Sequence, residues 1–187
     1  VNSEYISKSI DLMVQLQKDN PTEAIGKAKE LIESCCKTIL DEYNIEYNSS
    51  DDISSLTKKT FDKLNLLPDK IDEKLPLSTT LKQILGNLRG ITSGLAELRN
   101  PYGSGHGKSA NYKGLSERHA KLAIGCSATL VNFIWDCYEF QQNKNDLILS
   151  FKSRWSQETI NEEIKKGAKF WVKSENFAIR VIYGKGR

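Results

Sequence analysis

Apolar side chains recur along most of this chain at intervals of three and four, the period of helices with one buried face. Ile6, Ile10, Met13 and Leu16 form the first stripe, which predicts a short amphipathic helix from about Ser3 to Lys18. Asn20-Pro21-Thr22-Glu23 then reads as a helix start, with Asn as N-cap, Pro at the first helical position and Glu at the third. Ala24, Ala28, Leu31, Ile32, Cys35, Ile39 and Leu40 make one face of that helix, which should run to about Tyr43. Asn48-Ser49-Ser50-Asp51-Asp52 supplies a loop and a new cap, after which Ile53, Leu56, Thr60, Phe61 and Leu64 continue at helical spacing.

From about Ser78 a long helix places Leu81, Ile84, Leu85, Leu88, Ile91, Leu95 and Leu98 on its apolar positions. It also holds Gly86, Gly90 and Gly94, which share one face and are expected to let another helix pack closely against it in the core. Asn100 precedes Pro101 and is pushed out of the helical region, so this helix ends near Arg99. Ser116 and Glu117 open the next helix, which runs to about Gln141 and is apolar around much of its circumference, as a central helix would be. Beyond it, Ser156 to Lys166 predicts a short surface helix. Phe170-Trp171-Val172 and Phe177-Ala178-Ile179-Arg180-Val181-Ile182-Tyr183 flank Lys173-Ser174-Glu175-Asn176 in the pattern of a hairpin. The expected fold is an all-α helical bundle over residues 1–142, with a basic extension over 143–187 that forms a small β-hairpin, α+β appendage.

Composition narrows the class. At 187 residues, 39% hydrophobic and 27% charged, the chain is an ordinary globular protein with room for a core, neither disordered nor membrane-embedded. Its net charge of +3 names no partner, but from Lys144 onward ten basic residues face five acidic ones, so the extension carries about +5 and the remainder about −2. Cys35, Cys36, Cys126 and Cys137 lack the spacing of a zinc clip and fall on apolar helical positions, so they read as buried free thiols of a reducing cytoplasm. No apolar run approaches about 18 residues and no signal peptide is visible, so neither a membrane span nor secretion is expected. The chain opens on Val1 and not Met, which leaves a fragment of a longer protein and a trimmed chain both open.

One stretch is built unlike the others. Arg99-Asn100-Pro101-Tyr102-Gly103-Ser104-Gly105-His106-Gly107-Lys108 joins two apolar helices and gathers an arginine, an amide, a lysine and one of two histidines among glycines. Glycine lets the backbone approach a ligand closely, arginine matches phosphate geometry, and histidine moves protons near neutral pH. A nucleotide P-loop is refused despite Gly107-Lys108-Ser109, because Tyr102 occupies the position of its first glycine and a helix leads in where a strand should. Two readings of Arg99 and His106 remain: an acid-base and phosphate-binding pair, or a helix-terminal cation beside a histidine that only lines a solvent loop. Lys108 suits a phosphate contact or plain solvation, and His119, beside Arg118, suits a place next to the site or a surface or packed position.

With six residues between Arg99 and His106 and Asn100 directly after the arginine, the stretch resembles the Arg-x4–6-His motif of HEPN (higher eukaryotes and prokaryotes nucleotide-binding) domains. The longer string Leu98-Arg99-Asn100, Gly103-Ser104-Gly105-His106-Gly107, Arg118-His119-Ala120-Lys121-Leu122-Ala123 and an apolar helix ending Trp135-Asp136 is similar to the abortive-infection C-terminal domain of bacterial phage-defence proteins, over roughly residues 5 to 140. The resemblance implies a helical bundle and a metal-independent endoribonuclease with no cofactor. It carries Arg99, Asn100 and His106 over as catalytic residues, with Gly105, Gly107, Lys108, Arg118 and His119 as substrate and phosphate contacts. It further implies RNA as substrate, a homodimer with a composite site, and an antitoxin or sensor domain as a further partner. Glycine and proline between Arg99 and His106 depart from the continuous helix on which this motif often sits. The competing reading is a non-catalytic nucleotide- or RNA-binding or dimerisation module of a larger defence protein.

Overall fold

The computed structural model describes residues 1–74, 76–99, 115–154, 156–166, 168–173 and 178–183; for residues 99, 147–154, 157 and both strands the description covers the backbone alone. Among the described residues six helices succeed one another: α1 (Ser3–Asp19), α2 (Pro21–Glu42), α3 (Ile53–Lys63), α4 (Ser78–Arg99), α5 (Glu117–Arg154) and α6 (Gln157–Lys165), with a 3₁₀ turn at Pro68–Lys70 between α3 and α4. Strands β1 (Ala168–Lys173) and β2 (Ala178–Tyr183) pair antiparallel, Phe170 opposite Val181 and Val172 opposite Ile179. The chain is therefore an all-α bundle with a small strand pair at its C-terminal end. It divides into two compact units, Val1–Asp136 and Cys137–Arg187.

The caps are those the polar residues dictate. Asn2 accepts from the Tyr5 N–H at 2.8 Å, and Asp52 from the Ser55 N–H at 2.7 Å. At α2, Asn20 accepts from the Glu23 N–H at 3.2 Å and donates its own amide to the Glu23 carboxylate at 2.7 Å. The far ends of α2 and α3 close through left-handed asparagines, Asn44 (φ 53°) and Asn65 (φ 57°), which let Ile45 N–H reach Leu40 C=O and Leu66 N–H reach Phe61 C=O at 2.9 and 2.8 Å.

In the unit of residues 1–136, α2 packs against α1, α3 and α4, and α4 against α3 and the 3₁₀ turn. α2 is the centre, burying Ala24, Ile25, Ala28, Leu31, Ile32, Cys35, Cys36, Ile39 and Leu40. Burial raises both thiols, Cys36 to about 11 despite hydrogen bonds to Thr60 and Thr57. Cys126 and Cys137 are only half-buried, short of the full burial their apolar surroundings in sequence suggest. Buried hydroxyls satisfy themselves on nearby backbone carbonyls: Thr60 on Leu56, Thr92 on Arg89 and Ser127 on Ile124.

Three expectations need correction. α5 does not stop near Gln141 but runs to Arg154, because no glycine or proline interrupts residues 138–154 and apolar positions recur to Phe151. Its burial is one-sided: Ala120, Ala123, Ser127, Leu130 and Ile134 are inside, while Leu122 is 64% exposed and Gly125 stands in open space. The largest departure concerns Gly86, Gly90 and Gly94. All three face solvent, and a Cβ added to any of them would meet nothing within 4 Å, so they do not mediate core packing. Each costs α4 about 1 kcal/mol relative to alanine. α4 instead turns Leu85, Thr92 and Leu95 inward.

Candidate active site

Buried side chains stand on both sides of residues 100–114. Leu95 is buried one turn before Arg99, and Leu115 is buried just before α5 begins. Arg99 is the last residue of α4, where a cation complements the negative end of the helix dipole. Its side chain lies outside the described residues, as do Asn100, Gly105, His106, Gly107 and Lys108 altogether.

Arg118 and His119 are described, in the first turn of α5. Arg118 is exposed and His119 half-buried. The Ser116 N–H donates to His119 Nδ1 at 3.0 Å, and Ser116 Oγ lies 2.9 Å from the same nitrogen. Nδ1 is therefore an acceptor, and the neutral ring carries its hydrogen on Nε2. This is a capping box in which histidine takes the place usual for glutamate: the third helical side chain reaches back to the N-cap amide. The spacing Ser116-x-x-His119 was its sequence signal, although a histidine at that position reads as readily as a surface residue.

Glu117 adds a carboxylate to the same turn and pairs with Lys121 at 2.7 Å. The Lys121 hydrogen bond and charge hold the Glu117 carboxyl below its ordinary range, and the charge of Lys18, at the end of α1, acts in the same direction. Sequence spacing gives no hint of that last proximity, since Lys18 and Glu117 lie on different helices. The N-terminus of α5 thus presents an exposed guanidinium and an imidazole Nε2–H at the positive end of a 38-residue helix, an arrangement able to attract an anion. Among the described residues, no group of three or more His, Cys, Asp or Glu side chains converges to hold a metal ion. None of the described helices is long and apolar enough to cross a membrane.

The family model of Abi_C, a HEPN-like domain, matches residues 3–138, which takes in α1 through α4, the polar stretch and α5 as far as residue 138. The chain belongs to this HEPN-like family. Comparisons with curated proteins and with solved structures return no match. In this HEPN-like domain the polar stretch falls, in sequence, at Arg99 and in the connection from α4 to α5, the helix whose start carries Arg118 and His119.

Proposed function

We propose that this HEPN-like chain is a metal-independent endoribonuclease, acting in the cytoplasm as an abortive-infection or toxin effector of phage defence. The observation that carries the reading is the coincidence of the family match over residues 3–138 with the place of the Arg99–His106 stretch, at the junction of the two helices that family membership makes relevant.

The residue types suit cleavage of RNA, which brings its own nucleophile. The 2′-hydroxyl attacks the adjacent phosphorus; the O2′–P bond forms and the P–O5′ bond breaks, leaving a 2′,3′-cyclic phosphate and a free 5′-hydroxyl. A base takes the 2′ proton and an acid returns one to O5′, roles matched to the histidine range near neutral pH. Arg99 counters the charge that develops on the phosphoryl oxygens, and Asn100 positions the phosphate by hydrogen bonding. One His106 is poorly placed to be base and acid in the same step, so a homodimer with two facing stretches supplies the pair. Lys108, Arg118, His119 and the amides of Gly105 and Gly107 hold the flanking backbone of the RNA. An antitoxin or sensor domain would keep such an activity silent.

The test is cleavage of RNA by the purified chain in EDTA, with His106→Ala and Arg99→Ala as variants. Each is expected to lose at least about 100-fold in rate with its helical circular dichroism intact. Cleavage retained by both variants overturns the assignment, and RNA binding with no turnover under any condition supports the non-catalytic module.

A further inference from the structure

The register of β1 and β2 sorts their residues into two unlike faces. Ala168, Phe170 and Val172 share one face with Tyr183, Val181 and Ile179 opposite them, and this face carries no charge. The other takes Lys169, Trp171 and Lys173, with Ile182, Arg180 and Ala178 opposite. It therefore holds three cations, no carboxylate, and a tryptophan placed between two lysines. A two-stranded pair is marginal unless one face is buried, and β1 has α6 beside it. Burial favours the uncharged face and penalises one whose cations bring no acid with them. α6 does little to neutralise them, because from Gln157 to Lys166 it offers three carboxylates against two lysines of its own, with Glu163 on Lys166 at 2.9 Å.

We propose that the Lys169, Trp171, Lys173 and Arg180 face of the strand pair binds single-stranded nucleic acid, with phosphates on the cations and a base stacked on Trp171. The occupant follows from charge and spacing. Along β1 the two lysines stand about 13 Å apart with the tryptophan midway, and Arg180 adds a third cation at the register position across from it. A single strand offers the complementary alternation, an anionic phosphate and then a flat base, and its unpaired bases leave their faces free for an aromatic ring. An acidic peptide would meet the cations but has no use for the ring, and a duplex keeps its bases stacked on one another. The surrounding sequence has the same sign: from Gly167 to Arg187, Lys169, Lys173, Arg180, Lys185 and Arg187 stand against Glu175 alone. The family match ends at residue 138, so this face belongs to the unit Cys137–Arg187 and lies outside the matched domain. Its use in gathering substrate rests on the nuclease reading; the binding itself is tested without it.

The probe is a fluorescent oligodeoxythymidylate of about 12 nucleotides, which lacks the 2′-hydroxyl and so cannot be cut by 2′-hydroxyl attack. Its binding to the whole 187-residue chain is read by fluorescence anisotropy over a salt series. The wild type is expected to bind at low salt. Lys169→Gln, Lys173→Gln and Arg180→Gln combined should raise the dissociation constant at least about tenfold and flatten the slope of log K against log salt by about 2, the share of three phosphates. Trp171→Ala should weaken binding at least about fivefold with the slope unchanged, and Trp171→Phe, which keeps a ring, should lose less. A control removes equal charge from exposed positions of the other unit, through Lys8→Gln, Lys58→Gln and Lys74→Gln, and should stay within about twofold of the wild type. A wild type that does not bind overturns the proposal, as does a Trp171→Ala chain of wild-type affinity or a strand triple variant that binds no more weakly than the control. Binding to vesicles of anionic phospholipid without binding to the oligonucleotide overturns it in favour of a lipid surface. RNA cleavage separates the two readings: strand-dependent binding with no cleavage keeps this site and removes the nuclease, while cleavage by a chain whose binding ignores the strands does the reverse.

Discussion

α2 and α4 are both 22 residues long, and they use that length in opposite ways. α2 buries nine side chains, starts on a reciprocal Asn20–Glu23 cap and ends on a left-handed asparagine that satisfies its last carbonyls. Its apolar stripe is matched by α1, α3 and α4. α4 buries Leu85, Thr92 and Leu95, starts after Leu77 in the left-handed region (φ 60°), and sets three glycines toward solvent. The residues are almost interchanged: leucine stands where the backbone asks for glycine, and glycine stands where helix propensity asks for anything else. α2 is explained by what it buries, whereas α4 keeps glycines and a left-handed leucine that each lower its stability.

Truncating α2 should hurt most. Leu40 is fully buried, and Leu40→Ala is expected to cost about 2–5 kcal/mol in urea unfolding. Ile84→Ala on α4, measured on the monomer, removes a half-exposed side chain and should fall within about 0.5 kcal/mol of wild type. Comparable losses at both positions would erase the contrast. The next effect lies at the cap: Asn20→Ala removes both bonds to Glu23 and should cost about 1 kcal/mol by the same measurement. At a similar size but opposite sign, Gly90→Ala should stabilise the monomer by about 1 kcal/mol. Leu77→Gly should stabilise it by about 0.5–1 kcal/mol, relief of the left-handed strain outweighing the added freedom of the unfolded chain. A loss of stability at either position would mean that α4 is already filled in one copy.

The same contrast governs what the sequence could tell. α2 was legible throughout because its signals are local: Asn20-Pro21, Glu23 and a stripe that its neighbours cover. α3 and the strand pair followed from equally local patterns. The glycines of α4 misled because spacing states that three small residues share a face, but not which side of the helix meets the core. Their neighbours Leu85, Thr92 and Leu95 decide that, through contacts with other helices. The sequence suggests too early an end for α5 because a polar run, Gln141-Gln142-Asn143-Lys144-Asn145, looks like a terminus although none of its residues breaks a helix. At the site, the sequence supplied the family and the position of Arg99 at a helix end. It left open how His119 is used, since a capping histidine and a surface histidine share one pattern until the Ser116 amide is seen to point at Nδ1.

The smallest predicted effect sharpens the contrast at the connection that leaves α2. Asp51 accepts from Lys59 Nζ at 2.6 Å and from the Asn48 N–H at 3.1 Å, while Lys59 also reaches the Glu46 carbonyl at 3.4 Å, so a single ion pair ties the α2–α3 loop to α3. The Lys59 hydrogen bond, followed by that of the Asn48 amide, holds the Asp51 carboxyl below its ordinary value. A carboxyl lowered in the folded state stabilises the fold at pH values above the unfolded value of about 3.9, and that contribution fades as pH falls through the lowered folded value. Asp51→Asn keeps an acceptor for the amide but loses the charge. It should therefore melt below the wild type at pH 7, and the gap should close on acidification below pH 4. A gap that persists unchanged at pH 2 would mean that the aspartate acts by shape and not by charge, and that the α2 side of the fold owes nothing to this ion pair.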